Sequence, residues 1–231
     1  MMRLDKYLGD ILNITRSNAK RIIKDHQITI NQQAISDPSY LVKDDDIVCF
    51  GAQQLKYQKY CYLKMHKPSG YLCATSDPID PTIIDLVPKS LKRKDLKIVG
   101  RLDKDTEGLI ILSNDGAFIH KLTSPKKDLP KTYYLEYSGT LKEDASKDIA
   151  SGLKLSNYQA KPGIFQILGD NKATLTITEG KYHQVKEMIE AVGGKVVYLK
   201  RIKIGQLELS DLPKGMVQPL TEAELAQLKE R

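Results

Sequence analysis

Asp103 stands in the run Val99 to Gly116, VGRLDKDTEGLIILSNDG, where a polar cluster from Arg101 to Thr106 leads into the unbroken apolar stretch Leu109 to Leu112. A second polar cluster, Ser113 to Gly116, closes the run, so the pattern is loop, buried strand, tight turn. Gly100 and Gly108 let the backbone bend at both edges of the loop. A loop tethered to a buried strand is held rigidly, which is what a catalytic group needs in order to stay in place through a reaction. Asp103 is the candidate for that group. An aspartate at a strand entry is also an ordinary turn or cap residue, and the loop alone leaves both readings open.

The segment GRLDKDTEGLIILSNDG resembles, over a long ungapped stretch, the signature loop of the pseudouridine synthases. In particular it resembles the branch that modifies ribosomal RNA, the RsuA family, which includes the small-subunit enzyme of bacteria. The resemblance implies that Asp103 is the single essential carboxylate. Converting uridine to pseudouridine breaks the glycosidic bond, turns the detached ring and rejoins it through carbon five. Nothing is oxidised and no group is donated, so the expected cofactors are none and no metal is demanded. The enzyme must extrude the uridine, bring a carboxylate to the anomeric carbon, retain the free base and remove one proton. A carboxylate can add to, or electrostatically support, an electron-poor sugar centre, much as in glycosidases.

A pocket that excludes water favours the neutral form of a carboxyl group, so a basic partner is expected beside Asp103. At about 4 Å and an effective dielectric of about 20 the attraction is about 4 kcal/mol before desolvation is set against it. The segment EGKYHQVKEMIEAVG, Glu179 to Gly193, carries Val185, Met188, Ile189 and Val192 on one helical stripe, with Lys186 near the helix start. It resembles the family's EGxxHQVKRM motif, and the resemblance makes Lys186 the partner of the carboxylate, with Glu187 standing where the family often has Arg. Lys131 to Tyr137, KTYYLEY, has strand alternation and resembles the family's K-T-Y motif, which implies that Tyr133 packs on the uracil ring. Its hydroxyl is then a candidate for the final proton transfer, while core packing is the competing account of any strand tyrosine. Arg101 matches the basic residue that in related synthases fills the gap left by the flipped nucleotide, or it holds a phosphate. His66 replaces the Asn of the family's Asn-Lys-Pro-x-Gly and receives no role.

The elements that must present this chemistry begin with a small amino-terminal module. Leu4, Tyr7, Leu8, Ile11 and Leu12 fall on one helical stripe, and Ser17 is placed to cap a second helix that buries Ala19, Ile22 and Ile23. Short strands are expected around Ile28, Ile30, Ile35, Ile47, Cys49 and Phe50. Met1 to Gly51 holds seven basic and seven acidic residues, yet Arg16, Lys20, Arg21 and Lys24 recur at helical spacing with no acid among them. A neutral module with one basic face can orient on RNA without adhering everywhere, although a solvated helix face has the same pattern. MRLDKYLGDILNITRSNAKRIIKDHQITIN, continuing to DDDIVCFG, is similar to the S4-like RNA-binding domain of a small-subunit ribosomal protein and tyrosyl-tRNA synthetases. The four basic residues of the second helix, with Arg101, are the expected RNA contacts.

The polar, aperiodic stretch GAQQLKYQ places a linker at 52–58, between a module at 1–51 and a catalytic domain at 59–231. Within the larger domain the sequence predicts a strand over 60–67, a short helix over 83–87, a basic loop over 89–97, strands near 173–178 and 195–199, and a capped helix after Thr221. Strands outnumber helices without regular crossovers, so the fold class is α+β, a helix-helix-strand RNA-binding domain followed by a domain on a largely antiparallel or mixed sheet. Thirty-six Lys and Arg against 29 Asp and Glu give +7, which favours a polyanionic partner. Nothing resembles a signal peptide or a membrane span, and three widely spaced cysteines suit structural thiols in a reducing compartment. The expectation is a cytoplasmic, monomeric enzyme whose partner is ribosomal RNA or a pre-ribosomal particle, with no membrane partner and 16S rRNA as substrate. The alternatives are a 23S rRNA synthase or a non-catalytic rRNA-binding or ribosome-assembly protein on the same fold.

Overall fold

Leu4, Tyr7 and Leu8 form the buried face of helix α1 (Leu4–Ile11), which follows the two-residue strand β1 (Met2–Arg3). The computed structural model describes residues 1–124 and 128–229. These fall into two compact units, Met1–Tyr60 with Ser90–Asp95, and Cys61–Lys89 with Leu96–Arg231.

In the first unit α2 (Arg16–Lys24) buries Ala19 and Ile23. Its cap is Thr15 rather than Ser17: the Thr15 backbone is extended and its hydroxyl accepts the Asn18 amide at 3.2 Å, which leaves Ser17 inside the first turn. Strands β2 (Ile28–Ile30), β3 (Gln33–Ala34), β4 (Leu41–Val42), β5 (Val48–Phe50) and β6 (Gln53–Leu55) follow. β4 pairs with β1, and the others form a sheet in the order β3-β2-β5-β6. The expected linker at 52–58 is thus partly a strand. β6 is an edge strand with a single inward residue, Leu55, so it shows no apolar run to mark it. Tyr7 donates its hydroxyl to the Leu55 carbonyl at 2.9 Å and stacks on Tyr57 at 5.3 Å, which draws the whole segment into this unit. The middle of the basic loop, Ser90–Asp95, belongs here as well: Arg93 donates to the Gln58 carbonyl at 2.6 Å and Lys94 to the Ile14 carbonyl at 3.3 Å.

The second unit runs β7 (Tyr62–Lys67), β8 (Lys97–Val99), β9 (Glu107–Ser113), α3 (Gly116–Thr123), β10 (Lys131–Gly139), α4 (Ala145–Ser151), β11 (Ile164–Gly169), β12 (Lys172–Ile177), α5 (Gln184–Ala191), β13 (Gly194–Ile204), β14 (Leu207–Glu208), β15 (Val217–Pro219) and α6 (Glu222–Lys229). Among the described residues the sheet order is β11-β12-β10-β13-β9-β7-β15, with β14 beside β13 and β8 beside β9. Every pairing is antiparallel except β9 with β13, which run parallel over two pairs only, Glu107 with Lys200 and Gly108 with Arg201. All seven residues of β9 are buried, as its apolar run requires. Residues 83–87 are turns rather than a helix, because Asp85 accepts the Thr82 amide at 2.8 Å and Pro88 stops propagation after one turn. Thr221 and Glu224 cap α6 reciprocally, at 3.0 and 3.2 Å.

Candidate active site

The loop ahead of β9 is pinned at several points before it reaches Asp103. Lys67, wholly buried at the end of β7, donates from its ammonium to the carbonyls of Pro68, Lys104 and Thr106 at 3.0, 3.0 and 2.7 Å. The Gly70 amide reaches the same Lys104 carbonyl at 2.8 Å, and the Leu102 amide donates to the Cys73 thiol at 3.3 Å. Burial pushes the Lys67 ammonium below the usual lysine value and the Cys73 thiol above the usual cysteine value. Gly108 then passes β13 so closely that a Cβ would lie 2.2 Å from the Arg201 carbonyl oxygen, and its φ of +115° is one that only glycine adopts freely.

This anchored loop forms one wall of a cleft of about 350 Å³ in the second unit. Asp103, Tyr133, Lys186 and Arg101, which the sequence draws from separate stretches, all line it. Lys186, in the first turn of α5, holds its Nζ 3.3 Å from Asp103 Oδ2. It is closer to a residue that the sequence motifs do not single out: Asp105, whose two carboxylate oxygens accept at 2.8 and 2.9 Å. Burial works against the Lys186 ammonium, but the Asp105 hydrogen bond and the two carboxylate charges outweigh it and hold Lys186 above the usual lysine value. Burial likewise raises Asp105, and the Lys186 contact more than reverses this, leaving its carboxyl below the usual range. No spacing rule singles out Asp105, because it lies in a turn ahead of the strand, where side-chain direction has no fixed period.

His183, the histidine of the EGxxHQVKRM motif, is a second site residue, to which the sequence alone assigns no role. It precedes α5 in a left-handed conformation (φ 51°), stacks on Tyr182 at 3.7 Å and puts Nε2 3.5 Å from Asp103 Oδ2. Gln184 fixes this turn, accepting the Lys181 amide at 3.1 Å and donating to Glu179 at 3.0 Å.

The opposite wall comes from the sheet. Tyr133 on β10 lies directly across from Arg201 on β13, beside a break in register between Thr132 and Tyr133, so both side chains face the cleft. Lys131, two residues before Tyr133 on the same face, donates to the Leu129 carbonyl at 2.9 Å; burial first, then the Arg201 charge, bring it down to about 8. Arg101 is exposed at the cleft mouth. Arg16, Lys20, Arg21 and Lys24 are exposed on α2, in the other unit. His66 is buried and donates from Nδ1 to the Leu212 carbonyl at 2.8 Å, a structural contact. Among the described residues no three His, Cys, Asp or Glu side chains cluster as metal ligands.

A carboxylate fixed by buried anchors, with an ammonium beside it and a tyrosine ring across a base-sized cleft, is the apparatus expected of a uridine isomerase. Residues 61–191 match the model of the family described as RNA pseudouridylate synthase, and residues 2–48 match the S4 domain. The chain belongs to the RNA pseudouridylate synthase family. Members of that family similar to it over nearly full length include "Ribosomal small subunit pseudouridine synthase A" of Escherichia coli (strain K12), 35% identical over 97% of this chain and 99% of that protein. "Uncharacterized RNA pseudouridine synthase YtzG" of Bacillus subtilis (strain 168) is 39% identical over 99% of both chains. A solved pseudouridylate synthase superposes with a TM-score of 0.69 at 36% identity, covering 99% of this chain and 100% of the other. As a pseudouridylate synthase the chain is an isomerase of RNA, and its mixed sheet and S4 module are those of that family.

Proposed function

We propose that this chain isomerises a specific uridine of small-subunit (16S) ribosomal RNA to pseudouridine, acting as a cytoplasmic monomer on the RNA or on a pre-ribosomal particle. The observation that carries the reading is the convergence of Asp103, Lys186 and Tyr133, 83 residues apart at their extremes by number, on one cleft. The names of its full-length relatives, drawn from several bacteria, favour the small-subunit substrate over a large-subunit one.

In this mechanism the uridine leaves its stack and enters the cleft with its sugar toward Asp103 and its base over Tyr133. The N1–C1′ bond breaks with its electron pair going to the base, while the Asp103 carboxylate meets the electron-poor sugar. Lys186, itself steadied by Asp105, supplies the counter-charge for Asp103. The base turns on the Tyr133 ring, C5 bonds to C1′, the C5 proton leaves and N1 gains a proton, so atoms and electrons balance without any donor. Arg101 at the mouth steadies the RNA beside the extruded nucleotide. Arg16, Lys20, Arg21 and Lys24 on α2 bind phosphates, and Lys94, joined to the Ile14 carbonyl just ahead of α2, extends that cationic face.

Tritium release from 16S rRNA labelled at C5 of uridine tests the assignment. Wild type is expected to release tritium, and Asp103→Asn to bind the RNA with unchanged affinity and release none. Release by Asp103→Asn at the wild-type rate would overturn the site, and no release by wild type from 16S rRNA or pre-30S particles would overturn the substrate.

A further inference from the structure

We propose that Arg201 grips the extruded base directly, donating a hydrogen bond from Nη2 to one of the two carbonyl oxygens of uracil, so that it is a catalytic residue of the reaction. The proposal rests on the pseudouridine synthase reading above and adds to it a residue that none of the family motifs in the sequence pointed to.

Arg201 is 2% exposed, yet its guanidinium is incompletely satisfied. Nε donates to the Leu109 carbonyl at 2.9 Å and Nη1 to the Arg101 carbonyl at 3.4 Å, while Nη2 has no hydrogen-bond partner among the described residues. A guanidinium cannot shed its charge, and a buried N–H donor left without an acceptor is costly. Such a donor at the wall of a cleft marks the place of a ligand acceptor. Arg201 is the cross-strand partner of Tyr133, and both residues line the same cleft, so the unpaired donor belongs to the wall that also carries the ring on which the base is held. Phosphate is the wrong occupant for this depth, since the exposed cations Arg101, Lys161 and Lys181 already stand along the cleft rim to meet it. What fits is a planar group that offers acceptors at its edge, as uracil does at O2 and O4.

The contact strengthens as the reaction proceeds. When N1–C1′ breaks, the electron pair retained by the ring spreads over N1, O2 and O4, and negative charge grows on the atom facing Nη2. An interaction stronger in the transition state than in the bound substrate raises kcat rather than lowering KM. The same bond gives the freed ring a fixed point, so it can turn toward C5 without leaving the cleft. The two carbonyl contacts at Nε and Nη1 hold the guanidinium in place while this happens.

The experiment compares wild type on RNA whose target uridine, once mapped, is replaced by 2-thiouridine or 4-thiouridine, since sulfur is a poor acceptor for a guanidinium N–H. One of the two replacements is expected to lower kcat about tenfold or more with little change in KM, and the other to do far less. Arg201→Lys, which keeps a charge but not the fork, is expected to lose about tenfold in kcat on ordinary RNA and to become insensitive to the thio replacement. Wild type indifferent to sulfur at both positions, or Arg201→Lys retaining full kcat, would overturn the proposal. If Arg201→Lys does not fold, the wild-type comparison decides alone. Failure of wild type on unmodified RNA would instead remove the pseudouridine synthase reading, and the Arg201 grip with it.

Discussion

Replacing Lys67 with methionine tests whether the Asp103 loop is held by the ammonium cage beneath it. Methionine fills the space of the lysine stem, so the main loss is three donated hydrogen bonds, to the carbonyls of Pro68, Lys104 and Thr106. The Lys104 carbonyl keeps the Gly70 amide at 2.8 Å, which leaves two carbonyls to bear most of the penalty. At roughly 2 kcal/mol for each abandoned acceptor the loss is about 4 kcal/mol. Removing a buried ammonium that burial already disfavours returns part of this, so about 4 kcal/mol is the upper bound of the destabilisation. In a unit of this size that bound corresponds to a fall in melting temperature of roughly 12 °C. The loop also loses its fixed position, and a displacement of about 1 Å at Asp103 costs about a hundredfold in kcat. Calorimetry and tritium release measure the two effects on one preparation. A variant melting within about 2 °C of wild type and turning over within about twofold would refute the cage as the device that positions the carboxylate.

Gly108→Ala forces a Cβ to within 2.2 Å of the Arg201 carbonyl at a backbone angle closed to alanine. A loss of about 4 kcal/mol in denaturant unfolding is expected, against a small gain for Gly116→Ala, where the added methyl meets open space. Lys131 is protonated below about pH 8 in the folded chain and up to its ordinary value near 10.5 in the unfolded chain. The unfolded state therefore holds the extra proton between these values, stability contributed by this group rises with pH across that window, and cleft affinity for RNA falls as the charge is lost. NMR titration of the lysine Cε resonances should show one midpoint near 8 that vanishes in Lys131→Gln. Substituting Arg16, Lys20, Arg21 and Lys24 together with glutamine should weaken RNA binding and flatten its salt dependence by roughly 0.7 to 0.9 for each phosphate that is no longer neutralised, measured by filter binding from low to high salt. An unchanged slope would remove α2 from the RNA surface.

The residues legible in the sequence are those whose pattern is local. β9 announces itself by four consecutive apolar residues, α5 by its stripe, and Asp103 by a polar loop between two glycines. Asp105 escapes because it reads as loop filling, although its carboxylate takes the shorter contacts to Lys186. His183 stands in a motif, but its role escapes because it comes from a left-handed turn that no spacing encodes. Arg201 and Lys67 look like ordinary strand cations; only the tertiary arrangement shows that both are buried and serve carbonyls of the same loop. β6 goes unseen because an edge strand with one inward residue carries no periodicity.

The two-pair parallel seam between β9 and β13 carries a further implication for what such a fold can accept as substrate. The strand after the acid-bearing loop lies in one half of the sheet and the aromatic ring in the other, and their backbones pair where Gly108 slides past Arg201, whose side chain bridges the gap to Leu109. The gauge of the opening is therefore shared between this stitch and the side chains along the lining. Enlarging this enzyme's appetite from a pyrimidine to a bulkier nucleobase would require respacing that junction as well as trimming wall residues.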